Sequence, residues 1–289
     1  MITIIKGHFI CTEKPSEFSV YPDHYLIAED GIIEGLYDVL PEKYAGVPVQ
    51  DYGDRMIMPG CVDLHVHAPQ YSYRGLGMDM ELLEWLETNT FPEESKMKDI
   101  NYAKKSYSIF VENLRKSATT RACIFATVHR EATLLLMDML ENAGLCTMTG
   151  KINMDRNCPD YIREASADAS AKETIQWVED VLNRHYKNTY PILTPRFTPS
   201  CTDELMTKLK EIQTKYDLPL QSHLSENPGE IEWVRELCPT SEYYGDAYAM
   251  FGLFGNYCKT VMAHCVYSDE REIRRMKDNG VFIAHCPED

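Results

Sequence analysis

From Met58 onward the chain alternates short apolar runs with longer stretches of helical period, and few architectures accept that rhythm over most of a chain's length. The runs at 57–67, 119–129, 145–154, 191–197, 218–223, 260–264 and 281–285 read as strands. The stretches at 80–90, 100–117, 131–143, 169–186, 202–216, 228–237 and 269–279 read as helices. Repeated strand–helix units form a parallel sheet covered by helices, and enough of them close into a barrel. Before residue 58 the texture differs. Strand-like pieces at 2–10, 25–33 (broken at Asp30-Gly31) and 47–58 show no helical period. The expected organisation is a small N-terminal β subdomain over 1–57 and an α/β, TIM-type barrel over 58–289. The last helix has the clearest punctuation, with Ser268 as N-cap, acids in its first turn and Gly280 after its end.

Composition removes several function classes. At 289 residues the chain can bury the core of one domain of about 250 residues plus an appendage. A formal charge of −16 argues against nucleic acid or an anionic membrane as the main partner. No apolar run approaches the roughly 18 residues of a membrane span, and the opening segment reads as a strand rather than a signal peptide. Ten cysteines are scattered singly with no C-x-x-C pair, as in a reduced, cytosolic protein. Thiolate zinc sites draw on close cysteine pairs, so a metal here would use histidine and carboxylate ligands.

The first barrel strand reads Pro59-Gly60-Cys61-Val62-Asp63-Leu64-His65-Val66-His67. Side chains alternate along a strand, so His65 and His67 share a face while Leu64 and Val66 are left for packing. Two imidazoles aimed at one point suit a divalent transition metal; the alternative is a pair of polar residues where a strand meets solvent. Other prominent polar residues also fall at predicted strand ends: His129, Arg196, His223, His264 and His285. That end of the strands carries the active site in (β/α)8 barrels. His223 could complete a three-histidine metal set that leaves a coordination position open. Glu226, three residues on, could move protons, or could simply be a helix-start carboxylate near Pro228. His264 could hydrogen-bond a nucleophile or substrate. His285 is less supported, His129 reads as structural, and His8, His24 and His185 have no supporting context. Arg196-Phe197 offers a cationic fork and an aromatic face to a flat heterocycle, with Gln70 able to pair along a ring edge.

Taken together, these motifs resemble the amidohydrolase superfamily. Its guanine deaminase family is the nearer match, through His65-Val66-His67-Ala68-Pro69-Gln70-Tyr71, Leu82-Leu83-Glu84-Trp85-Leu86, Thr90-Phe91-Pro92, Thr194-Pro195-Arg196-Phe197 and Gln221-Ser222-His223-Leu224-Ser225-Glu226-Asn227. The resemblance runs through nearly the whole chain. It implies a metal-dependent (β/α)8 barrel with a β-sandwich, one zinc (iron being possible), and hydrolysis of guanine to xanthine and ammonia. Carried over by motif, His65, His67 and His223 would ligate zinc, Glu226 would move protons, and His264 would orient the hydroxide. Gln70, Arg196 and Phe197 would hold the purine. A homodimer is also implied. The H-x-E and P-C-x-x-C elements of cytidine-deaminase zinc sites are absent.

The family supplies a further metal-ligating Asp from an eighth strand. Seven strands are counted here, and Glu288-Asp289 departs from the pattern after His285-Cys286-Pro287, so Asp289 is not given that role. The expectation is a truncated or alternatively ended barrel, weakly stable and nearly inactive by itself. Two other readings stay open: an amidohydrolase acting on another purine or a triazine, and a non-catalytic barrel used for binding.

Overall fold

The computed structural model describes residues 1–287; Glu288 and Asp289, weighed above, lie outside the described residues. The chain divides into two units, Met1–Cys61 and the remainder from Val62. In the first, β1 (Ile2–Lys14), β2 (Glu17–Glu29), β3 (Ile32–Tyr37) and β4 (Val49–Ile57) form a sheet ordered β3-β2-β1-β4. The pairing is antiparallel except between β1 and β4, which run parallel. Ile4, Ile27 and Tyr44 are its buried centre. The long β1–β2 hairpin was hidden from the sequence because 17–24 carries Pro22-Asp23, a poor strand pair.

The second unit begins with β5 (Cys61–His67) and then runs through α1 (Leu82–Trp85) and α2 (Phe91–Ser95). A π-helical turn over Leu86–Thr90 joins those two helices. Pro92 stands in the first turn of α2, where its missing N–H breaks the regular ladder and the helix widens just before it. Next come α3 (Ile100–Lys116), β6 (Thr119–Phe125), α4 (Arg130–Ala143), β7 (Cys146–Gly150), β8 (Ile152–Asn153), α5 (Ala167–Arg184), β9 (Thr189–Pro191) and β10 (Thr194–Pro195). The chain continues with α6 (Asp203–Tyr216), β11 (Leu220–Leu224), α7 (Pro228–Leu237), α8 (Asp246–Ala249), β12 (Thr260–His264), α9 (Glu270–Asn279) and β13 (Phe282–Ala284). The strands are ordered β5-β6-β7-β9, β8-β10 and β11-β12-β13; β7 pairs in parallel with β6 and β9, β8 with β10, and β12 with β11 and β13, and a bridge joins Leu193 to Leu220. Parallel strands alternating with helices make this an α/β fold of the TIM-barrel type.

Helix faces explain the packing. In α3 the buried residues Ala103, Tyr107, Phe110 and Val111 recur at helical spacing and meet Leu136 and Leu140 of α4 in one cluster. A larger cluster joins Trp177 and Val178 of α5 to Leu205 and Leu209 of α6. Between the strands themselves, Cys123, Ile192, Val261, Ala263 and Ala284 form a small apolar plug.

Three expectations are corrected. The strand expected over 145–154 is two pieces, because Lys151 turns its buried side chain aside to Glu164 and the Ile152 carbonyl. The strand over 191–197 is also split, because the chain changes partners at 192–193: the Ile192 amide donates to the Thr149 carbonyl at 3.3 Å and the Leu193 amide to the Pro219 carbonyl at 2.9 Å. Arg196 and Phe197 therefore lie just past β10. Asp269, rather than Ser268, caps α9, its carboxylate accepting from the Arg271 and Glu272 amides at 2.9 and 3.0 Å. Gly280 does end α9, with φ of 68°.

Candidate active site

One cavity of about 290 Å³ is lined by His65, His67, Gln70, Arg196, Phe197, His223, Glu226 and His264, together with Leu82, Trp85, Leu86 and Cys286. All eight residues singled out from sequence thus reach a common space. His129 and His285 do not. His129 is the residue before α4, four positions beyond the end of β6, and burial with Lys151 nearby lowers its imidazole to about 4. His285 is exposed just after β13.

The histidines meet because β5, β11 and β12 deliver them to one end of the parallel strands. The His65 and His67 rings lie edge to face at 4.9 Å, and His65 stands the same distance from His223 and from His264. His67 Nε2 and His223 Nε2 face each other at 3.0 Å. Burial, aided by the neighbouring His65, holds both of these imidazoles well below the ordinary histidine range, so each is neutral. The His223 tautomer is fixed by its surroundings. Its Nδ1 lies 2.6 Å from the Arg196 carbonyl, which can only accept, so Nδ1 carries the proton and Nε2 keeps its lone pair.

Ligand atoms of His65, His67 and His223 lie within 4.8 Å of one another. Nitrogens bound about 2.0–2.1 Å from one tetrahedral ion sit about 3.3 Å apart, so the trio fits a divalent metal. Two overlapping groups, His223 with Glu226 and His264, and His65 with His264 and Cys286, satisfy the same test. The three groups share residues, and all their members line the one cavity. Two apposed neutral imidazole nitrogens have no proton to share if both are lone pairs, and an ion between them removes the conflict.

Glu226 and His264 sit on strained backbone. Ser225, His264 and Cys265 have φ of 50°, 71° and 55°, a region that side chains other than glycine rarely adopt. Buried carboxylates secure these turns. Glu230 accepts from the Glu226 amide at 3.0 Å and from the Tyr244 hydroxyl at 2.7 Å. Glu272 accepts from the Ser225 hydroxyl at 2.9 Å and the Gly245 amide at 2.6 Å. Glu226 Oε2 comes within 3.5 Å of His264 Nε2. A carboxylate beside an imidazole at the edge of a metal site is placed to exchange protons with a bound reactant.

The other wall is a polar edge on an apolar bed. Arg196 Nη1 and Nη2 donate to Glu94 Oε2 and Oε1 at 2.7 and 3.3 Å, and Gln70 Nε2 donates to Glu94 Oε1 at 3.1 Å. Arg196 and Glu94 are 2% and 1% exposed, so this is a desolvated pair rather than a surface bridge. Phe197 packs with Leu86, Phe91 and Phe125. Sequence reading missed Glu94, Glu230 and Glu272. The Thr90-Phe91-Pro92 motif pointed to the right segment, but nothing local separates Glu94 from its neighbour Glu93.

Comparison with known proteins shows the family. The model of the amidohydrolase family matches residues 56–289. A guanine deaminase of Dictyostelium discoideum is 37% identical over 304 residues, covering 99% of this chain and 67% of its own length. One from Mus musculus is 42% identical over 295 residues, covering 98% and 64%. A crystal structure of guanine deaminase from C. acetobutylicum with guanine bound in the active site superposes with a TM-score of 0.96 at 44% identity, covering 99% and 68%. The chain thus spans about two thirds of the length of the relatives it matches. The chain belongs to the amidohydrolase family.

Proposed function

We propose that this chain carries the active-site face of a zinc-dependent guanine deaminase, which hydrolyses guanine to xanthine and ammonia. The observation behind this reading is the meeting, in one cavity, of a three-imidazole cluster with the Arg196–Glu94–Gln70 edge. The similarity to guanine deaminases, one of them solved with guanine bound, supports the choice of substrate. His65, His67 and His223 would hold one zinc ion, which supplies Lewis-acid activation of water near neutral pH. Arg196 donates hydrogen bonds to the ring carbonyl, Gln70 pairs with an adjacent ring N–H, and Phe197 covers the purine face. Glu226 takes a proton from the attacking water and passes it to a ring nitrogen; it then takes the remaining proton of the added hydroxyl and delivers it to the amino group, which leaves as ammonia while the carbon–nitrogen bond breaks and the new carbonyl forms. His264 holds the nucleophile in line. Water's oxygen ends on the ring carbon and ammonia leaves, so atoms and charge balance.

We also read β5 to β13 as seven of the eight positions of the barrel, and the N-terminal sheet as part of a sandwich. Among the described residues β5 pairs only with β6 and β13 only with β12. Ten free thiols suit a reducing, cytosolic setting; no described helix is long and apolar enough to cross a membrane.

The test is calorimetric binding and product analysis on zinc-loaded protein, with guanine, adenine and melamine offered separately. Guanine-selective binding with xanthine release is the expected result. Preference for adenine or melamine would replace the substrate, and binding of none would favour a non-catalytic barrel.

A further inference from the structure

Glu94 touches both residues of the ring-binding edge and is itself given no part in the chemistry above. Its single carboxylate takes the Arg196 fork and the Gln70 amide together. The segment that brings it there is the π-turn and Pro92 junction between α1 and α2, which also sets the Phe91 ring 5.3 Å from the Arg196 guanidinium. The Thr90-Phe91-Pro92 motif therefore acts as a delivery device for this carboxylate.

The chemistry of the contact carries information. A carboxylate only accepts hydrogen bonds, so the atom Gln70 turns towards Glu94 must be its NH2 group. The Gln70 carbonyl oxygen is then the atom left to face a ligand. Without a partner of fixed polarity, an amide can rotate and present either donor or acceptor. On Arg196 the same carboxylate fixes the guanidinium plane and offsets its charge, while the remaining N–H groups stay available as donors.

We infer that Glu94 is the positioning residue that sets the polarity of the ring-binding edge. It holds Gln70 as an acceptor beside Arg196 as a donor, so the cavity selects a heterocycle with a ring N–H next to a carbonyl oxygen. The inference rests on the deaminase reading and deepens it. A 2,6-diaminopurine ring, which replaces that pair by a bare ring nitrogen and an amino group, presents the opposite polarity and is rejected.

The experiment is calorimetry of zinc-loaded protein with guanine and with 2,6-diaminopurine, for wild type, E94Q, E94D and E164Q. Glu164 bonds the buried Lys151 outside the cavity, so E164Q reports what breaking a buried pair does by itself. In E94Q guanine affinity falls at least about tenfold, and the preference for guanine over 2,6-diaminopurine shrinks with it, because an amide partner no longer dictates polarity. E94D keeps the preference while losing affinity, and it decides the matter if E94Q does not fold. Glu94 Oε1 also lies 4.0 Å from His67 Nδ1, so zinc content is measured for each variant and affinities are compared only between samples carrying equal zinc. Affinity and preference in E94Q within twofold of wild type overturn the inference, as does loss of preference in E94D or an equal loss in E164Q. If wild type binds no guanine, the deaminase reading falls and this one with it; if wild type binds and E94Q is unmoved, only the role of Glu94 falls.

Discussion

Single residues in this cavity take their roles from what their polar atoms already hold. Glu226 is secured through its backbone amide by Glu230, which leaves its carboxylate beside His264 for chemistry. Glu226→Gln is expected to lower turnover of the zinc-loaded protein by about 10²–10⁴-fold while guanine affinity and zinc content stay near wild type. A loss of affinity as large as the loss of turnover would make Glu226 a binding residue instead. His129 gives a prediction of a different kind. Its folded-state pKa, depressed to about 4 by burial, lies below the roughly 6.5 of an unfolded chain. Between those values the unfolded state binds more protons, so stability present above pH 6.5 is lost as pH falls towards 4. Melting curves of wild type and His129→Asn should diverge less at pH 5 than at pH 7, since the variant lacks this titration; a constant gap would refute it. Much of the site was legible because its signals are short-range. His65-Val66-His67 share a face by alternation, and Arg196-Phe197 and His223 with Glu226 each lie within a few residues. Glu94 was not, because its meaning lies in Arg196, 102 residues away. Glu93, equally acidic, spends its charge on Lys96 and Tyr102 at the surface.

Among the elements, helices were read more accurately than strands. Helix ends carry local caps, as with Asp99 before α3, Ser166 before α5 and Thr202 before α6, whose side chains accept from amides of the first turn. Strand ends are set by neighbours distant in sequence. The breaks at Lys151 and at 192–193 follow from a buried ion pair and from a change of strand partner, which periodicity does not register. Gly150 shows the constraint most sharply. A Cβ there would fall 1.8 Å from Thr194 Oγ1 and 2.5 Å from the Ile192 carbonyl oxygen, so the backbones of β7 and the β9–β10 segment approach closely only because the side chain is a hydrogen. Gly150→Ala should cost about 3 kcal/mol, the upper part of the overpacking range, read as a lower urea midpoint with unchanged slope. Ser166→Ala, which removes one cap on α5, should cost about 1 kcal/mol by the same measurement. Equal costs would show that the β7–β10 approach can relax.

At the scale of the whole barrel unit, the site is also a fastening. His67 and His223 are 156 residues apart in sequence yet 3.0 Å apart at their Nε2 atoms, so an ion bound there joins β5 directly to β11. A preformed site of neutral imidazoles exists only in the folded chain, and ligand binding to the folded state alone stabilises it by mass action. At a free zinc concentration of about 100 times Kd this amounts to about 2.7 kcal/mol. For 289 residues, at about 2.1 cal/mol/K of unfolding entropy per residue, that corresponds to a rise in Tm of roughly 4–5 °C. Nine histidines and ten free cysteines give the unfolded chain some zinc affinity of its own, which trims the rise without abolishing it. Thermal melts with and without zinc are therefore best run on His67→Ala and His223→Ala alongside His24→Ala in the N-terminal unit. The first two should lose the zinc-dependent rise, and His24→Ala should keep it. An equal rise in all three would mean that zinc acts elsewhere on the chain, and the three-histidine cluster would have to be read as buried polar packing.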